Sequence, residues 1–204
     1  MSVYRNPYDW CDYAVPDNVQ FGPNSFIESA YCFRQFFSRR QPGLILGDSA
    51  MICEGTDLVI GENGVVELGD FAMLTSVYIR CEERITIGRR VMISWSVGIF
   101  DTEVFPPHAG ERAAAVAQSQ QDPFGRIPCA VPRPVVIEDD AWIGFGSILL
   151  PGVRIGAKSI VGAKSVVRSD IPPGVIAAGN PARVVRRLEP GEIARPEQEI
   201  HSHV

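Results

Sequence analysis

The sequence predicts an all-β protein built as a parallel β-helix, and three observations carry that prediction. Residues 137–172 divide without a break into six blocks of six: IEDDAW, IGFGSI, LLPGVR, IGAKSI, VGAKSV and VRSDIP. The first place of each block is aliphatic (Ile137, Ile143, Leu149, Ile155, Val161, Val167). The fifth is mostly small (Ala141, Ser147, Val153, Ser159, Ser165, Ile171). A worn form of the same period runs through Leu46, Ile52 and Leu58, then Leu68 and Leu74, then Ile87, Ile93 and Ile99. A half-buried strand repeats every two residues and a helix every 3.6; a period of six walks around a helix and fits neither alone. Short strands joined by corners and stacked in parallel do fit it, because each coil buries its aliphatic positions only against its neighbours.

The chain has 204 residues, enough for one domain with a small appendage, and its 46% apolar content supports a sizeable core. A net charge of -5 argues against a general nucleic-acid or anionic-membrane binder. No apolar run is long enough to span a membrane, and the opening SVYRNPYDW lacks the order of a secretion signal, so a cytoplasmic protein is expected. The five cysteines (Cys11, Cys32, Cys53, Cys81, Cys129) are scattered and form no CxxC, which reads as free buried thiols.

Residues 1–42 lack the repeat and are rich in aromatics, from Tyr4 and Trp10 to Phe36 and Phe37. This segment is expected to cap the open end of the stack. The repeating domain is expected over residues 43–188. Within it, residues 101–134 break the period: glycines and prolines read as loop, and Glu111–Gln120 as a short helix. A long insertion in a compact repeat is commonly functional. Pro172-Pro173-Gly174 ends the regular stack, residues 183–188 are expected to open a short C-terminal helix, and residues 189–204 form a polar tail holding His201 and His203.

DDAWIG at 139–144, LPGVRIG at 150–156 and AGNPARVVRRL at 178–188 resemble the hexapeptide-repeat O-acetyltransferases that act on sugar hydroxyls, such as the maltose, nodulation-factor and cell-surface polysaccharide enzymes. The resemblance covers about residues 43–188. It implies a left-handed β-helix of triangular section, acetyl-CoA as co-substrate with no metal, a sugar or glycan acceptor, and a homotrimer with active sites between subunits.

Acetyl transfer from a thioester to a hydroxyl needs a base, donors for the developing oxyanion and a groove for a long cofactor. His108 is the one histidine outside the tail, and it follows Ile99-Phe100-Asp101, where the resembling family places its catalytic histidine. His108 is therefore the candidate base, with Asp101 or Glu103 as candidates to orient its ring. The family reads DHxxH or THP here, whereas this chain has Thr102 and Phe105 at those places and puts His108 three residues later.

The resemblance assigns cofactor contacts to Gly144, Phe145, Ala163, Arg168, Ser169, Arg183 and Arg186. The family's Thr-Lys pair has become Arg168-Ser169, and Phe145 stands where the family prefers Gly or Ala. Arginine forks suit phosphate. Trp95, Ser96 and Trp142 are the acceptor candidates, since a flat indole matches the C–H face of a sugar. Interface packing is the other reading of both tryptophans. The displaced histidine and Phe145 keep an alternative open, a non-catalytic or structural trimer on the same scaffold. A β-helix carbonic anhydrase would need several histidines as metal ligands, which the body of the chain lacks.

Overall fold

The computed structural model describes residues 6, 8–53, 55–103, 105–121 and 131–193. In chain order the strands are β1 (Val19–Phe21), β2 (Phe26–Ile27), β3 (Leu44–Leu46), β4 (Met51–Ile52), β5 (Asp57–Ile60), β6 (Val65–Leu68), β7 (Met73–Leu74), β8 (Tyr78–Cys81), β9 (Arg84–Ile87), β10 (Met92–Ile93) and β11 (Gly98–Phe100). Helix α1 (Ala109–Gln121) interrupts the series. It continues with β12 (Val135–Ile137), β13 (Trp142–Ile143), β14 (Ile148–Leu149), β15 (Arg154–Ile155), β16 (Ile160–Val161), β17 (Val166–Val167), β18 (Val175–Gly179) and β19 (Ala182–Arg187), and ends in a four-residue turn of helix, α2 (Pro190–Ile193).

Every third strand joins the same sheet through most of the chain. The first face is ordered β1-β3-β6-β9-β12-β15, the second β19-β18-β16-β13-β10-β7-β4-β2, and the third β17-β14-β11-β8-β5. All pairings but one are parallel, as when Trp142–Ile143 aligns with Ile160–Val161 eighteen residues on. The chain thus winds through three faces and closes a triangular stack.

The repeat explains the interior. Ile137, Ile143, Leu149, Ile155, Val161 and Val167 are all 0% exposed. So are the worn-repeat positions Leu58, Leu74, Ile93 and Ile99. The small fifth places sit inside the corners. Ser147, Ser159 and Ser165 are buried there with satisfied hydroxyls: Ser147 and Ser165 donate to the Gly162 carbonyl at 3.0 and 2.6 Å, and Ser159 donates to Gly156 at 2.6 Å. A buried hydroxyl left without such a partner would be costly. The corners also need left-handed backbone, and non-glycine residues supply much of it: Arg90 (φ 55°), Asp140 (62°) and Lys158 (62°) between the first and second faces, and Ser96 (60°) and Lys164 (60°) between the second and third.

Two expectations are corrected. The stack begins before residue 43, since β1 pairs with β3 and β2 with β4 in parallel register. Part of the aromatic segment is therefore coil, and Phe21 packs on the core. Residues 183–188 do not open a helix: β19 returns antiparallel along β18, placing Arg183 opposite Ala178 and Arg186 opposite Ile176. The edge of β18 offers unpaired backbone groups that a strand satisfies and a helix does not, and the β-branched pair Val184-Val185 suits a strand. The short C-terminal helix lies later, at α2. The helix expected over Glu111–Gln120 is present within α1. Tyr4, Cys129, His201 and His203 lie outside the described residues.

Among the described residues, no helix is long and apolar enough to cross a membrane. Cys11, Cys32 and Cys81 are buried thiols, and Cys53 is a half-buried one. Burial pushes the Cys32 and Cys81 thiols well above their ordinary range.

Candidate functional site

The outward residues of the corners between the second and third faces form a column. Trp95-Ser96, Phe145-Gly146 and Ala163-Lys164 stack coil on coil, with the Gly146 amide donating to the Trp95 carbonyl at 3.1 Å and the Lys164 amide to Phe145 at 2.8 Å. The Trp95 and Phe145 rings lie 6.0 Å apart, tilted 54°. The Lys164 ammonium sits 4.5 Å from the Phe145 ring centre. Trp95 is 57% exposed and Trp142 47%, so both indoles face outward. Trp142 stands on the second face, where its indole N–H donates to the Ser94 hydroxyl at 3.2 Å.

Gly144 is committed to packing. Its amide bonds to Val161 at 2.8 Å, and a Cβ there would come within 2.7 Å of the Ala163 nitrogen. The next coil approaches too closely for any side chain, so Gly144 sets coil spacing beside the column.

A second feature lies at the end of the stack. A cleft of about 490 Å³ is lined by Arg168, Ser169, Asp170, Ile171, Ala182, Arg183 and Val184. It forms because the β18–β19 hairpin carries residues 182–184 back against the last coil. Three of the expected cofactor residues, Arg168, Ser169 and Arg183, meet here although fourteen residues of sequence separate Ser169 from Arg183. Arg186 does not line the cleft. Its guanidinium holds both carboxylate oxygens of Glu192 at 2.7 Å, and this pairing depresses the Glu192 carboxyl to about 2. Arg186 thus anchors α2 to β19.

The insertion leaves and re-enters the coil through a closed neck. The Arg133 amide donates to the Asp101 carbonyl at 2.6 Å, and the Arg133 side chain pairs with Glu103 at 3.6 Å. The register continues beyond it: Gly98 pairs with Ile148, fifty residues on. His108 is exposed at the start of α1, and its carbonyl accepts from the Arg112 amide at 3.0 Å. Arg112 also ties down the preceding loop by donating to the carbonyls of Pro106 and Pro107.

The structure separates the three catalytic candidates. The expectation that Asp101 orients an imidazole does not match its contacts. Asp101 is 0% exposed, and its carboxylate accepts from the backbone amides of Glu82 (2.8 Å), Glu83 (2.7 Å) and Arg84 (3.0 Å). Burial pushes its carboxyl above the ordinary range, with the amide donors pulling it back. The side chain closes the corner between β8 and β9 by accepting from its part-buried amides. Glu103 serves the neck. His108 is exposed, as is Glu103, but only Glu103 is engaged by the Arg133 side chain. Sequence reasoning passed over two residues: Lys164, whose signal is a lysine at a left-handed corner beside an aromatic, and Arg133, which shows its role only once the neck closes.

The family model for the bacterial transferase hexapeptide (six repeats) matches residues 134–169. The galactoside O-acetyltransferase of Escherichia coli is 49% identical over 55 residues, covering 27% of this chain and 27% of that protein. A 2,3,4,5-tetrahydropyridine-2,6-dicarboxylate N-acetyltransferase of Clostridium perfringens is 40% identical over 77 residues, covering 38% of this chain and 30% of that protein. The chain therefore spans less than a third of the length of these curated relatives. A hexapeptide-repeat acetyltransferase of Vibrio cholerae, solved with acetyl-CoA, superposes with a TM-score of 0.58 at 28% identity over 72% of each chain. An N-acyltransferase of Bacillus cereus, at 17% identity and a TM-score of 0.65 over 83% of each chain, shares the fold. The unbroken six-residue repeat and the three-faced stack make the chain a left-handed parallel β-helix, similar to the hexapeptide-repeat acetyltransferases.

Proposed function

We propose that the protein moves an acetyl group from acetyl-CoA to a hydroxyl of a sugar or glycan precursor. The observation that carries this reading is the cleft at the end of the stack, where Arg168 and Arg183 converge with the Ser169 hydroxyl. Coenzyme A is a long, multiply phosphorylated ligand, and two guanidinium forks beside a hydroxyl suit its phosphates. The corner column at Phe145 and Ala163 offers the wall along which the thioester arm runs toward the acceptor. The Vibrio cholerae relative solved with acetyl-CoA supports the same ligand.

His108 is the base. Its imidazole takes the proton of the acceptor hydroxyl as the oxygen attacks the thioester carbonyl. The tetrahedral oxyanion collapses, the C–S bond breaks, and the imidazolium returns its proton to the departing thiolate. The active assembly is a homotrimer in the cytoplasm, with the insertion of one copy bringing His108 to the corner column and cleft of the next.

Calorimetric titration with acetyl-CoA tests the reading. Binding is expected, and the Arg168→Ala/Arg183→Ala pair is expected to weaken it by roughly tenfold or more, the scale of a lost charge-assisted contact. No binding by the intact protein would sink the proposal. The position of His108, three residues beyond the family's pattern, favours one second reading, a non-catalytic trimer on this scaffold. Acetyl-CoA binding with no thiol release across a panel of sugars would select it.

A further inference from the structure

Between the first and second faces, Arg89 pairs with Asp139 at 2.9 Å and Arg90 with Asp140 at 2.7 Å, whereas Lys158 makes no ion pair among the described residues. Between the second and third faces, Lys164 is exposed and makes no ion pair among the described residues. It is nonetheless placed. Gly146 on the coil below has no side chain, and a Cβ there would come within 3.1–3.2 Å of the Lys164 Cδ, Cε and Nζ. The bare backbone gives the lysine stem a track across the corner. The track ends with the ammonium 4.5 Å from the Phe145 ring centre, and Phe145 is in turn 6.0 Å from Trp95.

An exposed lysine gives up rotamer freedom to lie in this way, and contact with an aromatic face offsets part of that cost. The result is an open shelf of two tilted rings with one uncompensated cation at its edge. A ring with an apolar C–H face and a negative substituent matches both parts. A neutral sugar matches the shelf alone and gives the ammonium nothing to pair with.

We propose that the acceptor is an anionic pyranose, a sugar carrying a carboxylate or a phosphate, seated on Trp95 and Phe145 with its charge on Lys164. This inference rests on the acetyl-transfer reading and narrows its acceptor. Lys164 is a specificity residue, and takes no part in the chemical step.

The test is calorimetric binding of methyl β-D-glucuronide, glucose 6-phosphate, methyl β-D-glucoside and inorganic phosphate to the intact protein. Both anionic sugars are expected to bind about tenfold or more tightly than the neutral glucoside and than phosphate alone, the scale of one charge-assisted contact. Preference between the first two identifies the anion as carboxylate or phosphate. Lys164→Met, which keeps the stem and removes the charge, is expected to erase the advantage while leaving binding of the neutral glucoside unchanged. Trp95→Ala is expected to weaken all three sugars. Equal binding of charged and neutral sugars, no sugar binding, phosphate binding as well as glucose 6-phosphate, or a preference that survives Lys164→Met would each overturn the proposal. Acetyl-CoA affinity, read in the same samples, reports separately on the acyl-transfer reading.

Discussion

The regular coils of residues 135–167 and the insertion of residues 101–134 are neighbours in sequence and opposites in construction. In the coils each inward side chain is fixed by the layers on either side of it, and the backbone corners are pinned by serine hydroxyls. In the insertion, α1 buries only Ala115 among its described side chains, and its attachment is the neck between Asp101 and Arg133. The coil spends its sequence on its own stability. The insertion holds His108 at its surface and leaves its exposed side chains available to a substrate or a second copy. Structure is concentrated where the period holds, and candidate chemistry where it breaks.

The largest effect that separates the two regions is on turnover. His108→Ala is expected to cut thioester-dependent acetyl transfer by about 10²–10⁴-fold, the range of a lost general base. Its urea midpoint should not move, because the side chain is exposed. Undiminished activity would remove His108 from the mechanism. The converse substitution lies seven residues away. Asp101→Ala leaves three part-buried amides without their acceptor and is expected to cost roughly 3–6 kcal/mol in urea denaturation, at one to two per lost acceptor. A loss within the error of the measurement would show that the neck, and not the carboxylate, holds this corner.

A smaller contrast uses apolar residues alone. Ile143→Ala, from the fully buried ladder, is expected to cost about 2–5 kcal/mol. Val116→Ala on α1, where Val116 is 49% exposed, is expected to stay within about 0.5 kcal/mol. Comparable losses would mean that α1 packs on something in the assembled protein. The smallest effect is a titration. Arg186 holds the Glu192 carboxyl near 2, below its ordinary 4.5. A depressed carboxyl contributes its tether fully above the ordinary value, and the tether is lost as pH falls through about 2. An NMR titration of Glu192 should show this midpoint and its return toward 4.5 in Arg186→Gln; a midpoint already near 4.5 in the parent protein would refute the tether.

The inward ladder was fully legible in the sequence, because a buried position between two identical layers accepts few side chains. The corners were less so. Arg90, Asp140 and Lys158 adopt left-handed backbone that sequence rules reserve mainly for glycine, and here the coil geometry imposes it. The C-terminal strand was misread because residues 183–188 are compatible with a helix in isolation, and the hydrogen-bond demand that makes them a strand comes from β18. Asp101 beside a candidate histidine suggests a catalytic pair. Its true partners, the amides of Glu82, Glu83 and Arg84, belong to the preceding coil. Arg168 and Arg183 were found through resemblance, and their convergence in one cleft appears only when β19 folds back.

That reversal also bears on self-assembly. A stack of parallel rungs has no internal reason to stop, and its bare end is a template on which another molecule could continue as a filament. The last rung of the second face runs the other way, so a newcomer in the parallel sense meets the wrong hydrogen-bond spacing. It also carries Arg183 and Arg187 along an exposed edge, where two copies would repel. The strand that brings Arg183 to the cleft beside Arg168 therefore also ends the stack with an edge on which a further parallel rung does not fit.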